Sequence, residues 1–189
     1  MLARTVTARR CRSPQPGVVG FTLIEMLIAL AIGSLLLLTM TPDWGARRAG
    51  AELRNHAEML LQAINVARGE AIKRGTRVEL CPSSDALRCD ATAGWESGFI
   101  TYVHDNGATP ASMATILTSS RAAPSGIAVQ GNRPLTDYVS FTSLGHARRH
   151  DGALQMGTFT VCRSGHDALK VVLANSGRVR LDVTRERCS

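Results

Sequence analysis

Two arginines near the end of the chain, Arg178 and Arg180, are the side chains best suited to bind a polyanion. They flank one apolar residue in the string Gly177-Arg178-Val179-Arg180. Because alternate side chains of a β-strand leave the same face, we predict both guanidinium groups on the outer face, with Cα atoms about 6.6 Å apart. This spacing suits successive phosphates of a nucleic acid, and the planar guanidinium binds phosphate through paired hydrogen bonds. Gly177 permits a tight turn beside them. The residues predicted to face inward are Val179, Leu181 and Val183.

The surroundings of this pair are basic. Residues 162–189 contain six basic and three acidic side chains, which gives a local charge of +3. A surface of this kind would contact DNA phosphates without sequence preference and would weaken with salt, and it would extend to Lys170, Arg185 and Arg187. Asp182 and Glu186 lie among these residues and reduce the charge. The alternative is that the arginines only protect an exposed edge strand from pairing with another sheet.

No residue pattern predicts an enzyme. Serine, histidine and aspartate stand together at residues 164–167, but catalytic triads are assembled from distant positions, and a nucleophile elbow needs Gly-x-Ser-x-Gly. His146 and His150 lie in a stretch bounded by glycines, so we expect a solvated loop there rather than a metal or phosphate site. We therefore expect no catalysis, no cofactor and no metal.

The element that must carry the basic surface outward begins with an apolar run, residues 21–40, whose only charge is Glu25. A helix of these 20 residues rises about 30 Å, the thickness of a bilayer's hydrocarbon core, so the run predicts a membrane span. No Ala-x-Ala cleavage site follows the run. Instead a small residue, Gly20, precedes it, where removal of a leader would spare the helix.

The predicted leader contains four arginines and no acidic residue. By the positive-inside rule it stays in the cytoplasm, which puts the chain after the span on the other side of the inner membrane. Without the leader, the net charge of +7 falls to 18 basic against 15 acidic residues, or +3. The charge of the whole chain therefore overstates the case for a nucleic-acid partner.

The string Gly-Phe-Thr-Leu-Ile-Glu at residues 20–25 resembles the class III leader of type IV pilins and pseudopilins. The resemblance implies cleavage between Gly20 and Phe21 by prepilin peptidase and N-methylation of the new Phe21 amine. It also gives Glu25 a role in assembly, in which its carboxylate pairs with the Phe21 amine of its own or a neighbouring subunit. A charge in a membrane segment is costly unless it is paired, which supports this role. The alternative is a glutamate that extends to the interface of an ordinary anchor.

Four cysteines follow the predicted span, and an even number beyond the membrane predicts disulfides. The sequence leaves three pairings open. Proximity favours Cys81 with Cys89 and Cys162 with Cys188. A zinc site made from all four thiolates is the alternative, but the sequence has no Cys-x-x-Cys pair.

Helical periodicity continues after Pro42, a residue predicted to bend or interrupt the helix. Lys73 and Arg74 suit the negative end of a helix dipole, and Gly75 suits a left-handed cap. We therefore predict a helix over residues 21–74, of which 21–41 serve the membrane and assembly and 42–74 are amphipathic. Its apolar stripe consists of Ala49, Leu53, Ala57, Leu60, Ile64, Ala67 and Ala71, and its polar face of Arg54, Glu58, Asn65 and Arg68.

From residue 75 onward, short apolar runs separated by Gly, Pro, Asn and Asp predict an antiparallel β domain. Packing on the amphipathic half of the helix gives an α+β fold in three regions, which are a leader (1–20), a helix (21–74) and a periplasmic β-rich head (75–189). The predicted strands are residues 77–81, 99–104, 114–118, 127–130, 138–141, 157–162, 169–174 and 178–184.

Motifs in the first half of this region resemble the FimT/GspH group of minor pilins and pseudopilins. They are Ala-Arg-x-Glu-Ala-Ile-x-Arg at residues 67–74, Leu-Cys at 80–81 and Trp-x-x-Gly-aromatic at 95–99. The string at residues 177–180 is similar to the Gly-Arg-x-Arg motif of FimT-type minor pilins, which take part in DNA uptake during natural transformation. The resemblance implies a type IV pilin-like fold and a minor pilin that joins other major and minor pilins and binds DNA. The alternative it leaves open is a structural pseudopilin of a type II secretion system that does not bind DNA.

Overall fold

The computed structural model describes residues 20–39, 44–104 and 116–188. The chain divides into two compact units, Met1–Trp44 and Gly45–Ser189. The predicted leader up to residue 19, the bend at Pro42 and the start of the strand predicted at residues 114–118 lie outside the described residues.

The first unit contains helix α1, Leu23–Thr39, which has 17 residues. Thr22 caps its start, because the backbone N–H of Glu25 donates to Thr22 Oγ1 at 3.3 Å. A glutamate three residues after a capping threonine is also the usual sequence pattern of a helix start. Within the described ranges, no helix combines the length and the apolar character that crossing a membrane requires.

Helix α2, Trp44–Arg74, opens the second unit and ends where the sequence predicts. Gly75 follows it with φ of +65°, the left-handed conformation of a C-terminal cap. Lys73 and Arg74 in the last turn both reach the carboxylate of Glu70, at 3.6 and 2.6 Å. The predicted stripe is buried at six of its seven positions, namely Leu53, Ala57, Leu60, Ile64, Ala67 and Ala71.

The described part of the chain has eight strands after α2, and each of the eight predicted regions overlaps one, with ends displaced by up to three residues. In chain order they are β1 (Val78–Pro82), β2 (Phe99–Val103), β3 (Ile116–Ser119), β4 (Ile127–Gly131), β5 (Val139–Phe141), β6 (Gly157–Arg163), β7 (Asp167–Leu173) and β8 (Val179–Arg187), and a short 3₁₀ helix, Trp95–Ser97, precedes β2. They form two antiparallel sheets. The first sheet has the order β3-β2-β1-β5 and the second the order β4-β6-β7-β8.

One hydrophobic core joins α2 to the inner faces of both sheets. Trp95 belongs to this core and is only 2% exposed. Its ring packs against Phe159 edge to face, with ring centroids 4.9 Å apart. The indole N–H donates to the carbonyls of Leu135 and Thr136, so this buried polar group is satisfied. All of these core residues belong to the second unit, which therefore has a core of its own.

Strand β8 is more exposed in its second half than simple alternation predicts. Val179 and Leu181 pack against the core as predicted, whereas Val183, also predicted to face inward, is 66% exposed. Val183 still pairs with Leu169 in the same register as Leu181 with Val171, and the shift in register begins only beyond it, before the pair of Asp167 with Arg187. Alternation therefore holds as far as Val183, but this position lies on the edge strand, where its side chain stays open to solvent.

Two disulfides close the head, and they are the pairs that proximity in the sequence favours. Cys81–Cys89 ties the end of β1 to the loop that follows, and Cys162–Cys188 ties β6 to the residue after β8. The backbone N–H of Cys188 also donates to the carbonyl of His166 at 3.0 Å. The end of the hairpin formed by β7 and β8 is therefore fixed both covalently and by a hydrogen bond.

A buried histidine on α2 makes the stability of this unit depend on pH. His56 is 3% exposed, and neither ring nitrogen has a hydrogen-bond partner among the described residues. Burial lowers the pKa of His56 below its ordinary value of 6.5, and the charge of Glu96 opposes this only in part. In the unfolded chain His56 titrates near 6.5, so acidification through that pH protonates the unfolded state first and removes stability.

We therefore expect His56→Leu to reduce the fall in melting temperature between about pH 7 and pH 5. Thermal unfolding at both pH values checks this, with the exposed His146→Gln as the control. An unchanged pH dependence in His56→Leu would show that folding does not lower the pKa of this histidine.

Candidate nucleic-acid interface

The turn between β7 and β8 presents the two predicted arginines. Its backbone is closed by two hydrogen bonds, from the N–H of Gly177 to the carbonyl of Ala174 and from the N–H of Ala174 to the carbonyl of Arg178, both 2.9 Å. Arg178 directly precedes β8 and Arg180 lies in it, and both side chains are exposed. The strand is at the edge of its sheet, so both side chains are open to a large ligand.

Gly177 is needed at this turn for two reasons. Its φ is +79°, a region that costs other residues about 1–2 kcal/mol. In addition, a Cβ atom there would clash with the carbonyl oxygen of Gly145 and lie 2.8 Å from Arg68 Nε. The lack of a side chain therefore lets the turn pack against α2 and the loop that contains Gly145.

We expect Gly177→Ala to lower the free energy of unfolding by about 2–4 kcal/mol, from the strain at positive φ plus the forced displacement of the Gly145 backbone. Gly165 is a matched control, because it lies in the turn between β6 and β7 with φ of +82°, and a Cβ atom there would meet no other atom within 4 Å. Gly165→Ala should cost only the backbone term of about 1–2 kcal/mol. Chemical denaturation measures both, and equal losses would contradict the close contact at Gly177.

Helix α2 contributes a third arginine, which was not predicted as a site residue. Arg68 is half-buried, and its Nε donates to the Gly145 carbonyl at 3.0 Å. Asn65 and Arg68 line an open groove of about 420 Å³ together with Arg178 and Arg180. The sequence did contain a signal, since Asn65 and Arg68 belong to the polar face of the helix, but it could not show which strand that face approaches.

One arginine of this groove pairs with an acidic residue, since Arg180 contacts Asp182. Nε of Arg180 lies 3.1 and 2.9 Å from the two oxygens of the Asp182 carboxylate. Both side chains are largely open to solvent, with relative exposures of 66% and 43%. Such surface pairs contribute about 0–1 kcal/mol, so a phosphate can replace the carboxylate at little cost.

The other predicted DNA contacts do not line this groove. Lys170 pairs with Glu186, with Nζ 2.7 Å from the carboxylate. Arg185 and Arg187 are exposed near the far end of β8, about 17 Å or more from Arg180 at the usual rise of a strand. They form a separate basic pair close to the Cys162–Cys188 bond.

Two histidines were predicted to lie in a solvated loop, and both are exposed on a loop, but one of them also contacts a buried carboxylate. His146 is exposed, but Nε2 of His150 lies 2.5 Å from Oε1 of Glu79, a carboxylate that is 1% exposed. The loop folds back onto the outer face of the first sheet, a contact between residues 71 positions apart that no local pattern indicates.

Comparisons with known proteins agree on one family. Residues 56–177 match the model of the type II transport protein GspH, and residues 20–41 match the prokaryotic N-terminal methylation motif. Two crystal structures of the type IV minor pilin FimU from Pseudomonas aeruginosa are similar in fold. One has a TM-score of 0.56 at 18% identity and covers 72% of this chain and 96% of its own, and the other has a TM-score of 0.52 at 17% identity and covers 70% and 97%. Among curated proteins, none matches the sequence.

Proposed function

Because this chain belongs to the GspH/FimT family of type IV minor pilins and pseudopilins, we propose that it joins a type IV pilus and binds DNA there for uptake in natural transformation. The family is structural rather than enzymatic. One observation carries the DNA proposal, namely that Arg178 and Arg180 line one groove with Arg68 and Asn65.

The N-terminal methylation motif at residues 20–41 supports the route to the fibre. In the proposed route, prepilin peptidase cleaves after Gly20 and the amine of Phe21 is methylated. The apolar segment then holds the subunit in the inner membrane, with the head in the periplasm, until other major and minor pilins take it into the pilus. Phe21 is 81% exposed and large apolar side chains are exposed along α1, which suits a segment that packs against lipid or against other subunits.

Three arginines at one groove favour a polyanion whose charges recur along its length. Each guanidinium carries a permanent charge and a planar set of donors that fits a phosphate group. Within the described residues, no acidic side chain lines this groove. Contacts of this kind are to the sugar-phosphate backbone, so they hold DNA without selecting a sequence.

The second candidate is a pseudopilin of a type II secretion system without DNA binding. The extent of the family match favours it, because the match ends at residue 177 and so stops before Arg178 and Arg180. The two candidates differ in one measurable property, the affinity of the head for DNA.

Anisotropy titrations of unrelated labelled duplexes test the proposal. The unit Gly45–Ser189 is the right sample, because it has its own core and lacks the leader arginines, which would add phosphate contacts of their own. We expect dissociation constants of about 10⁻⁴ to 10⁻⁶ M at moderate salt, similar for all sequences. The logarithm of the affinity should fall with the logarithm of salt with a slope of about −2 to −3, for two to three neutralised phosphates. No binding at low salt would favour the secretion pseudopilin.

A further inference from the structure

A buried carboxylate lies on the outer face of the first sheet, away from the groove. Glu79 of β1 is 1% exposed, beneath a small apolar cluster that includes Ile100 and Tyr102. Its Oε2 accepts a hydrogen bond from the Tyr102 hydroxyl at 2.5 Å. Burying a carboxylate is costly unless other groups compensate its charge, so the groups around its second oxygen decide what the site holds.

Two imidazoles converge on that second oxygen. Nε2 of His150 lies 2.5 Å from Glu79 Oε1, and Nδ1 of His104 lies 3.4 Å from the same atom. The three atoms all lie within 4.8 Å of one another. The rings are packed together, with centroids of His104 and His150 4.9 Å apart, and Tyr138 stacks on His150 at 4.5 Å.

A small movement of one side chain gives these three atoms the spacing of ligands around one metal ion. In a tetrahedral zinc site with bonds of about 2.0–2.1 Å, neighbouring ligand atoms lie about 3.3 Å apart. The His104 nitrogen already lies at this distance from the carboxylate, and the His150 nitrogen must move by less than about 1 Å. His150 is 49% exposed, on a loop, so it has room to do so.

The types of the three ligand atoms, and the hydrogen bond that orients the carboxylate, favour zinc. Two imidazoles and one carboxylate are typical ligands of Zn²⁺ with one open position, whereas Ca²⁺ and Mg²⁺ prefer oxygen ligands. The Tyr102 hydroxyl donates to the other oxygen of the Glu79 carboxylate, and this hydrogen bond orients the carboxylate. The nearby cation Arg77 is engaged elsewhere, since its guanidinium donates to Ser140 Oγ and to the carbonyl of Arg148.

We propose that Glu79 Oε1, His104 Nδ1 and His150 Nε2 bind one Zn²⁺ ion. The ion joins the end of β2 to the loop before β6, and so stabilises the head. Its fourth position is open to water or to a side chain of a neighbouring subunit. The four cysteines of the head are in disulfides and do not compete for the metal.

Calorimetric titration with ZnCl₂ tests the site in the full chain in detergent, without a polyhistidine tag and with Cys11→Ser in every sample to remove the leader thiol. We expect one ion per chain. His104→Gln and His150→Gln should each weaken binding at least tenfold, whereas His146→Gln and His166→Gln, on histidines outside the cluster, should leave it unchanged. Equal losses in all four variants, or no zinc binding by the parent, would overturn the proposal.

If a variant of the cluster fails to fold, visible absorption spectroscopy of the parent chain with Co²⁺ tests the metal site instead. Co²⁺ bound by the parent chain should give the intense visible bands of a four- or five-coordinate ion, and Zn²⁺ should displace it. A spectrum like that of hydrated Co²⁺ would mean that these side chains form a histidine–carboxylate ion pair and no metal site.

Discussion

Replacing Arg178 and Arg180 together with glutamine should abolish the binding of DNA by the head. Hydrogen bonds to a charged partner contribute about 1.5–3 kcal/mol each, so the loss of two reduces the affinity at least about a hundredfold. From a starting dissociation constant of about 10⁻⁴ to 10⁻⁶ M, such a loss gives about 10⁻² to 10⁻⁴ M, so no binding is expected at the protein concentrations that saturate the parent. The melting temperature should stay the same, because the one ion pair lost, between Arg180 and Asp182, is exposed.

The charge-matched control is Arg185→Gln with Arg187→Gln. This pair lies on the same strand and removes the same charge, but it is outside the groove. If binding depends on the groove, the control keeps most of the affinity. If binding depends only on net charge, both variants lose affinity equally, and the assignment of the groove is wrong. Arg68→Gln is a third variant that tests whether α2 takes part, although it also removes the hydrogen bond to Gly145.

Replacing Glu25 with alanine should prevent incorporation of the subunit into the fibre without affecting removal of the leader. In the proposed assembly, Glu25 pairs with the amine of Phe21 in an apolar environment. A charge left unpaired in a membrane segment costs about 2.5–3.5 kcal/mol, which is a factor of about a hundred in association. An immunoblot of sheared fibres measures incorporation, and mass analysis of the N-terminus measures cleavage.

Glu25→Asp is the control, because it keeps the carboxylate and shortens the side chain by one methylene. It should retain more incorporation than alanine. Normal incorporation of Glu25→Ala would contradict the pairing, while an uncleaved alanine variant would show that the residue acts in processing instead. The hydrogen bond that caps α1 runs from the backbone N–H of residue 25 to Thr22 Oγ1, so it does not need the side chain of Glu25. We therefore expect α1 to begin at the same residue in both variants.

Local patterns in the sequence were sufficient for the elements of this fold. The end of α2 at Arg74, its buried stripe and a strand in each predicted region follow from periodicities of three to four or two residues and from the residues that end helices and strands. The two disulfides also agree with proximity, because Cys81 and Cys89 are only eight residues apart in the chain and Cys162 and Cys188 are 26 apart. Such patterns involve only a few neighbouring residues, so they can be interpreted without the tertiary structure.

The sites depended on contacts that no local pattern contains. Alternation placed Val183 inward, but it is 66% exposed, since it lies on an edge strand. Arg68 reaches the turn at Gly177 through Gly145, which is 77 residues away in the chain. His150 meets Glu79 across 71 residues. The sequence by itself determined the family features, the helices and strands, and the Arg178–Arg180 pair. Only the tertiary structure decided which side chains lie beside the arginine pair and beside Glu79, because the packing of the sheets and of α2 depends on the whole core.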